Sequence, residues 1–206
     1  MNQYNTDTKP QIKFDDGSNV FFTSDTHFNH ANIIRFCDRP FKDVSQMNET
    51  LIKNWNERVG PNDTIFHLGD FAWGGSEVWN SIIQQLNGKK YLILGNHDEK
   101  NIRQGYMRYF EWVGYQAHII IENRSIYLNH YPFLCYGGSY RNEKDLVWQL
   151  FGHVHSKPGS NGLDINRLTN LFPSQYDVGV DNNNYYPVSF HEVQTIINNQ
   201  IEKSKK

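Results

Sequence analysis

The sequence is poor in cysteine. Cys37 and Cys135 are the only two cysteines among 206 residues, and no CxxC pair occurs. Such a chain has no framework of disulfides, and two isolated cysteines are typical of buried, reduced thiols in a cytosolic protein. We therefore expect a cytoplasmic location.

Long apolar runs are also missing. No stretch approaches the length of a transmembrane helix, and residues 1–19 are polar without the apolar core of a secretory signal. Repeats, low-complexity tracts and linkers are absent as well. This predicts one domain over residues 1–206, in which 1–18 form an edge strand or a flexible arm and 202–206 a flexible tail.

Positive charge is not in excess. The formal net charge is -2, which provides no basic field to steer a long nucleic acid to the surface. We therefore expect neither long DNA or RNA nor a membrane as a partner. A small anionic substrate would have to be attracted locally, by the site that binds it.

Three short apolar runs are each followed by polar residues. They cover 20–23, 64–68 and 91–94, and their length and lack of a polar face predict strands that are buried on both sides. Amphipathic stripes with helical spacing lie between them, over 43–59 and 76–86. This alternation of strands and helices predicts a parallel sheet.

The second half of the chain has a different pattern. Residues 117–122 and 125–129 are β-rich and separated by two residues, which predicts a hairpin. We expect a second, more antiparallel sheet here, stacked on the first and followed by a closing helix. The irregular stretches 131–142 and 156–175 each follow a histidine-bearing strand end. We therefore expect both of them to line the same site. Further strands are expected at 148–151, 176–180 and 186–190.

Polar side chains with metal-binding chemistry stand at the ends of the predicted strands. Because the carboxyl ends of parallel strands share one edge of a sheet, we expect these residues to converge. Asp25 and His27 are two residues apart, so an extended segment would project both to the same side. The set consists of Asp25, His27, Asp70, Asn96, His97, His130, His153 and His155. Carboxylate, imidazole and amide oxygen suit Mn, Fe, Zn or similar divalent ions, and so many ligands suit two ions sharing a carboxylate.

These residues fall into five blocks that resemble, in order, those of the calcineurin-like metallophosphoesterases. The blocks are Asp25-x-His27, Gly69-Asp70, Gly95-Asn96-His97-Asp98, His130 and Gly152-His153-x-His155. The resemblance spans most of the chain and implies an α/β fold, a four-layer sandwich of two stacked mixed β-sheets flanked by helices. Residues 24–30 and 39–41 also resemble small stand-alone bacterial and phage members of that family.

The resemblance implies a role for each matched residue. One metal would be held by Asp25, His27 and His155, the other by Asn96, His130 and His153, with Asp70 bridging the two. The ions would be Mn, Fe, Ni or Zn, and a bridging hydroxide would attack phosphorus in line. His97, oriented by Asp98, would stabilise or protonate the leaving oxygen. Gly95 is expected to allow the sharp turn that places them, because glycine tolerates dihedrals that other residues avoid.

Several residues keep two interpretations. His30 either begins a short helix at the surface or reaches the site to contact phosphate, and His67 is interpreted as a core or supporting histidine. Arg35, Arg39 and Arg141 are candidates for binding phosphate, and we select His30 and Arg141 as substrate contacts. The aromatic residues that either stack on a nucleobase or pack on one another are Tyr131, Phe133, Tyr136 and Tyr140.

Together these features predict a two-metal phosphoesterase. We expect a small phosphorylated substrate of the nucleotide class, either a phosphomonoester or a phosphodiester, cyclic nucleotides included. One alternative is a nuclease acting on DNA or RNA ends, against which the net charge of -2 weighs. The other is a non-catalytic interaction scaffold, against which the complete set of ligands and His97 weighs.

Overall fold

Strands and helices alternate in the first half of the chain and strands dominate the second. The structure is a computed structural model that describes residues 11–103, 105–140, 147–156 and 165–205. Within these ranges the strands are β1 (Gln11–Phe14), β2 (Val20–Thr23), β3 (Thr64–His67), β4 (Lys89–Ile93), β5 (Trp112–Gly114), β6 (Gln116–Ile121), β7 (Arg124–Asn129), β8 (Trp148–Phe151), β9 (Gln175–Asp177) and β10 (Val188–Ser189). The helices are α1 (Ala31–Phe36), α2 (Val44–Arg58), α3 (Ser76–Ile83), α4 (Glu99–Arg103) and α5 (Phe190–Ser204). Single 3-10 segments occupy Tyr106–Tyr109, Ile165–Asn170 and Val180–Asn182.

The first sheet has the spatial order β10-β2-β3-β4-β5. Strands β2 to β5 run parallel, and β10 is antiparallel to β2. All residues of β2 and β3 are buried, as strands covered on both faces require. The predicted parallel arrangement of the first three strands is confirmed.

The second sheet has the spatial order β1-β6-β7-β8-β9. The predicted hairpin is present as the antiparallel pair β6 and β7, while the other three pairs are parallel. The expectation of a more antiparallel sheet is therefore wrong. Parallel neighbours need a long crossover connection, and the chain between β7 and β8 and between β8 and β9 is long enough to form one.

Two apolar clusters hold the layers together. Phe22 and Phe66 on the inner face of the first sheet pack with Ile119 and Leu128 of the second. On its outer face, residues such as Ile65 pack against α2 and α3. Two mixed sheets flanked by helices form an α/β sandwich, and this part of the predicted fold class is confirmed.

The predicted helices are correct to within a few residues. Asp43 precedes α2, and its Oδ1 accepts a hydrogen bond from the backbone N–H of Gln46 at 2.9 Å, a typical N-cap. Ser189 and Glu192 form a capping box at the start of α5. This cap explains why the strand expected over 186–190 ends at Ser189 and the helix begins at Phe190.

The described helices and the two cysteines bear on the expectations drawn from the missing apolar runs and the scarce cysteines. None of the helices in the described ranges is long and apolar enough to cross a membrane. Cys37 is half-buried and Cys135 is exposed, so the expectation that both thiols are buried is wrong.

His67 is a core histidine that is fully hydrogen-bonded in its neutral form. The backbone N–H of Gly69 donates to Nδ1 at 3.2 Å, and Nε2 lies 2.9 Å from Thr26 Oγ1. Because the Thr26 hydroxyl donates to Phe71 O, Nε2–H is the donor to Thr26. Burial lowers the pKa of His67 to about 3. The neutral form also fits the geometry, because a proton on Nδ1 would face the Gly69 N–H.

We predict that His67→Gln will make folding less sensitive to acid. The imidazole titrates near 6.5 in the unfolded chain and at about 3 in the folded one, so the unfolded state binds more protons between these values and wild-type stability falls with pH. The wild type should therefore lose free energy of unfolding relative to the variant as the pH falls, by about 1.4 kcal/mol per pH unit below pH 6. Urea unfolding of both proteins with chelator at pH 7, 6 and 5 measures it, and a constant difference would contradict the neutral assignment.

Candidate metal centre

The loops that follow β2, β3, β7 and β8 meet at one edge of the sandwich. Backbone hydrogen bonds continue past the strand ends, from Asp25 N to Gly69 O at 2.9 Å and from His27 N to Asp70 O at 3.0 Å. The loop after β8 is joined in the same way, because Gly152 N donates to His130 O at 3.0 Å. The expected convergence of the strand ends is thus present, and backbone contacts maintain it.

Two groups of potential ligands lie side by side at this edge. The first consists of Asp25, His27 and His155, the second of Asp70, His130 and His153, and the ligand atoms of each lie within 4.8 Å of one another. The groups adjoin because His27 Nε2 is 3.5 Å from Asp70 Oδ2. Asn96 belongs to the second group, since its Oδ1 is 3.1 Å from His130 Nε2. The structure therefore brings together every ligand residue proposed from the sequence.

Most of these ligands stand on left-handed backbone. Of the 11 non-glycine residues with positive φ in the described chain, five belong to the set: Asp25, His27, Asp70, His153 and His155. Only a few per cent of non-glycine residues adopt this conformation, although Asp and His do so more often than most. The expectation that Asp25 and His27 share one side of an extended segment is wrong in its mechanism, because the strand has already ended and a left-handed turn directs each side chain.

Asp70 lies between the two groups. Its Oδ1 accepts a hydrogen bond from the backbone N–H of His97 at 2.9 Å. Its Oδ2 is surrounded by imidazole nitrogens, with Nε2 of His27 at 3.5 Å, of His130 at 3.6 Å and of His97 at 4.0 Å. One oxygen is thus fixed by the backbone, and the other faces nitrogens from both groups.

The buried polar atoms of the first group fit a cation. Only three buried side-chain atoms in the described ranges lack a hydrogen-bond partner, and two of them are Asp25 Oδ1 and His27 Nε2. Burial lowers the pKa of His27 well below its usual value, which keeps its lone pair free. Burial and the charge of Asp25 raise the pKa of Asp70. Neighbouring buried carboxylates beside the neutral imidazole of His27 are an environment that a divalent ion would satisfy.

Hydrogen bonds to the far nitrogens orient two of the imidazoles. His130 Nδ1 donates to Leu68 O at 2.8 Å, which leaves Nε2 free to act as a ligand. His155 Nδ1 lies 2.7 Å from Asp181 Oδ2, and its Nε2 is 3.9 Å from Asp25 Oδ1. Carbonyl or carboxylate partners of this kind orient metal-binding histidines. Burial by itself lowers the pKa of His155, but Asp181, Cys37 and Asp25 together raise it to about 11, so a metal would have to displace a proton here.

Asp181 and Arg39 form a supporting pair that was missed in the sequence. Arg39 Nε and Nη2 donate to the two oxygens of Asp181 at 3.0 and 2.8 Å, and the guanidinium also donates to the carbonyls of Thr26 and Asp25 at 3.0 and 2.7 Å. Arg39 is 4% exposed, so it is not available for phosphate. The Arg39-Pro40-Phe41 block was the only sequence signal, and Asp181 had none.

Asp98 contacts backbone rather than His97. Its carboxylate accepts hydrogen bonds from the N–H groups of Asp70 at 2.7 Å, Gly95 at 2.9 Å and Phe71 at 2.9 Å. Burial and the charge of Asp70 raise its pKa to about 7 in spite of these donors. The expected contact with the His97 ring is not made between these two described residues, so Asp98 positions the Asp70 backbone instead.

Gly95 is needed for close approach and not for its dihedrals. It is not among the glycines with positive φ, so the expected reason is wrong. A Cβ at this position would overlap Asp70 Oδ1 and lie 2.5 Å from Asp70 N. Any larger residue would therefore push apart the ends of β3 and β4.

His97 and His30 lie at the mouth of the site. The His97 side chain is 40% exposed, with Nε2 4.0 Å from Asp70 Oδ2. His30 occupies the N-cap position of α1, yet its Nδ1 is 3.4 Å from His27 Nδ1 and its ring stacks on Trp73 at 4.5 Å. Both interpretations of His30 are thus partly correct: it begins the helix and borders the site. Arg141 lies outside the described residues.

The aromatic residues after β7 divide into two kinds. Tyr131 borders the second group, with its hydroxyl 3.4 Å from Asn96 Oδ1 and its ring 4.6 Å from that of His153. Phe133 and Tyr136 instead pack on each other, and Tyr136 also packs on Phe172. For this second pair the packing interpretation is correct.

Comparisons with known proteins agree with this geometry. A family model described as calcineurin-like phosphoesterase matches residues 18–169. The protein MJ1445 of Methanocaldococcus jannaschii is 35% identical over 188 residues, which cover 90% of this chain and 93% of that protein. The gene 66 protein of Mycobacterium phage D29 is 28% identical over 190 residues, with 80% and 88% covered.

A solved structure shares the fold. The protein of unknown function AQ665 from Aquifex aeolicus superposes with a TM-score of 0.66 and 26% identity over 86% of this chain and 98% of that one. The range matched by the family model contains both ligand groups but not Asp181. The chain belongs to the calcineurin-like phosphoesterases, a metal-dependent family, and it is a phosphoric ester hydrolase.

Proposed function

We propose that the protein is a two-metal phosphoesterase that hydrolyses a small phosphate ester of the nucleotide class. The observation that carries this proposal is the position of Asp70 Oδ2, which lies 3.5 Å from His27 Nε2 in one ligand group and 3.6 Å from His130 Nε2 in the other. A carboxylate between two ligand groups is the arrangement that a pair of ions can share. The chain would act as one domain, in the cytoplasm.

Each ligand group would hold one ion. Asp25, His27 and His155 form the first position, Asn96, His130 and His153 the second, and Asp70 serves both. These donors suit Mn, Fe, Ni or Zn. Bound there, divalent ions would supply a nucleophile from water at neutral pH and neutralise charge that develops on the phosphoryl oxygens.

The ions also explain how an acidic protein attracts an anionic ester. The chain has a formal net charge of -2, but the two ligand groups contain only the carboxylates of Asp25 and Asp70. Against two divalent ions these leave a formal surplus of about two positive charges. A small substrate would be attracted by this local charge, whereas a net charge of -2 gives no basic field to attract a long nucleic acid.

His97 would protonate the leaving group. Its ring lies at the open side of the site, and its backbone N–H is fixed by the hydrogen bond to Asp70 Oδ1 at 2.9 Å. An exposed imidazole at this place can give a proton to the leaving oxygen as the P–O bond breaks. Asp98 supports this arrangement as a positioning residue, because it holds the Asp70 and Gly95 N–H groups and does not touch the imidazole.

A substrate screen tests the reaction class. With Mn2+ present, p-nitrophenyl phosphate, bis-p-nitrophenyl phosphate, cyclic nucleotides and dinucleoside polyphosphates are compared with short oligonucleotides. We expect hydrolysis of small esters that is lost on chelation and restored by Mn2+. Activity that survives exhaustive chelation contradicts the metal requirement. A preference for oligonucleotides that falls steeply with salt would instead support the nuclease alternative.

We predict that His97→Ala lowers kcat by about 100- to 10,000-fold, the range typical of a lost general acid. Metal content should stay at the wild-type level, because His97 belongs to neither ligand group. Steady-state kinetics and elemental analysis of the same preparation measure both quantities. The control is His191→Ala, which removes an exposed histidine paired with Glu122. Equal turnover in wild type and His97→Ala would refute the role of His97.

We predict that Asp181→Asn weakens metal binding by about 10- to 100-fold, as is usual when a partner of a metal-binding histidine is changed. The amide keeps the shape of the carboxylate but loses the charge that orients His155 and neutralises Arg39. Chelator competition with Mn2+ measures the affinity without reference to turnover. Asp63→Asn, in the turn before β3, is the control, because its carboxylate accepts a hydrogen bond from Gly60 N–H at 2.7 Å and lies outside both ligand groups. Unchanged affinity in Asp181→Asn would show that this contact is structural only.

A further inference from the structure

Trp73 is a large aromatic side chain that remains exposed at the mouth of the metal centre. Trp73 is 48% exposed, whereas Trp55, Trp79 and Trp148 are at most 2% exposed. An indole on the surface leaves apolar area in water that folding normally buries. Trp73 follows Asp70 by three residues, and its ring lies beside that of His97.

Backbone contacts fix the position of Trp73. Its N–H donates to Phe28 O at 2.7 Å, and its carbonyl accepts from Asn29 Nδ2 at 3.2 Å. A parallel bridge between Phe28 and Ala72 joins the same two loops. The indole is therefore held in place by the loops that carry Asp25, His27 and Asp70.

The neighbours of the indole leave part of it open. His30 lies against one face of the ring, with the centroids 4.5 Å apart and the planes 13° from parallel. The His97 ring is 5.5 Å away and tilted by 60°. With one face covered by His30 and nearly half of the residue in solvent, Trp73 presents a flat apolar surface next to His97.

We propose that Trp73, backed by His30, is a stacking subsite for a planar aromatic group on the leaving alcohol, and that a nucleobase is the group it accepts. The inference rests on the proposed function, in which the P–O bond to the leaving alcohol breaks, a water oxygen forms the new bond to phosphorus, and His97 gives its proton to the leaving oxygen. Whatever that oxygen carries must emerge beside His97, where Trp73 lies. A nucleoside places a base one sugar ring away from the ester oxygen.

Tyr131, the other exposed ring at the mouth, is less suited to this task. It packs edge-on against His130 and His153, with interplanar angles of 72° and 65°, and its hydroxyl is 3.4 Å from Asn96 Oδ1. Its contacts are thus with the second ligand group. Among the described ring contacts, Trp73 packs with His30 and His97, whereas those of Tyr131 are with His130 and His153.

Equilibrium binding of two non-hydrolysable probes tests the proposal. The first is the methylenephosphonate analogue of adenosine 5′-monophosphate, and the second is ethylphosphonate, which lacks the nucleoside. Calorimetry with Mn2+-loaded protein gives both affinities for wild type, Trp73→Ala and Trp73→Phe. Phe36→Ala is the matched control, because Phe36 is 65% exposed and lies outside the site.

We expect Trp73→Ala to lose about tenfold to a hundredfold in affinity for the adenosine probe, the usual effect of removing a base-stacking ring. Binding of ethylphosphonate should be unchanged, Trp73→Phe should keep most of the affinity, and Phe36→Ala should match wild type. An equal loss for both probes, no loss for either, or a wild type that does not prefer the adenosine probe would each overturn the proposal. These outcomes are independent of the hydrolysis screen: a wild type that hydrolyses no phosphoester removes the proposed function, whereas an active enzyme indifferent to Trp73→Ala removes only the subsite.

Discussion

Two neighbouring carboxylates, Asp25 and Asp70, are buried almost completely, at 0% and 2% exposure. Each has one oxygen held by a backbone N–H, from His153 and His97 respectively, and turns the other toward imidazoles. Placing two ionised carboxylates in a protein interior costs several kcal/mol each unless opposite charge is close. The demand for cations at this edge is the constraint on which the arrangement of the loops depends.

The backbone around these carboxylates is unusual, and the rest of the fold stabilises it. A non-glycine residue on left-handed backbone costs of order 1–3 kcal/mol, and five of the ligands adopt this conformation. Such a cost is tolerated only where surrounding contacts determine the conformation. Here the contacts are the backbone hydrogen bonds between the loops after β2 and β3, the Asp98 carboxylate beneath Asp70, and two apolar clusters on either side of the first sheet.

The site is organised by depth. The residues that suit metal binding are mostly at its floor, where burial lowers the pKa of His27 and keeps that imidazole neutral. The residues at its mouth, His97, Trp73 and Tyr131, are partly exposed, and under the proposed function they would contact the group attached to the phosphorus. In this proposal the floor would set the reaction class and the mouth the choice of substrate. This division is consistent with five sequence blocks that indicate a family but leave the ester open.

The sequence by itself determined the parallel strands β2, β3 and β4, the hairpin, the main helices and which polar residues stand at the strand ends, because apolar periodicity and polar residues after strands are local signals. It did not assign β10 to the first sheet. Only the tertiary structure decided which groups meet across the fold. Arg39 and Asp181 are 142 residues apart, Asp98 binds the backbone of Asp70 and not the neighbouring His97, and the parallel pairing of the second sheet follows from long crossovers. A sequence states which groups are available and how far apart they lie along the chain. Their partners, burial and left-handed backbone are set by contacts between distant segments, for which no local pattern exists.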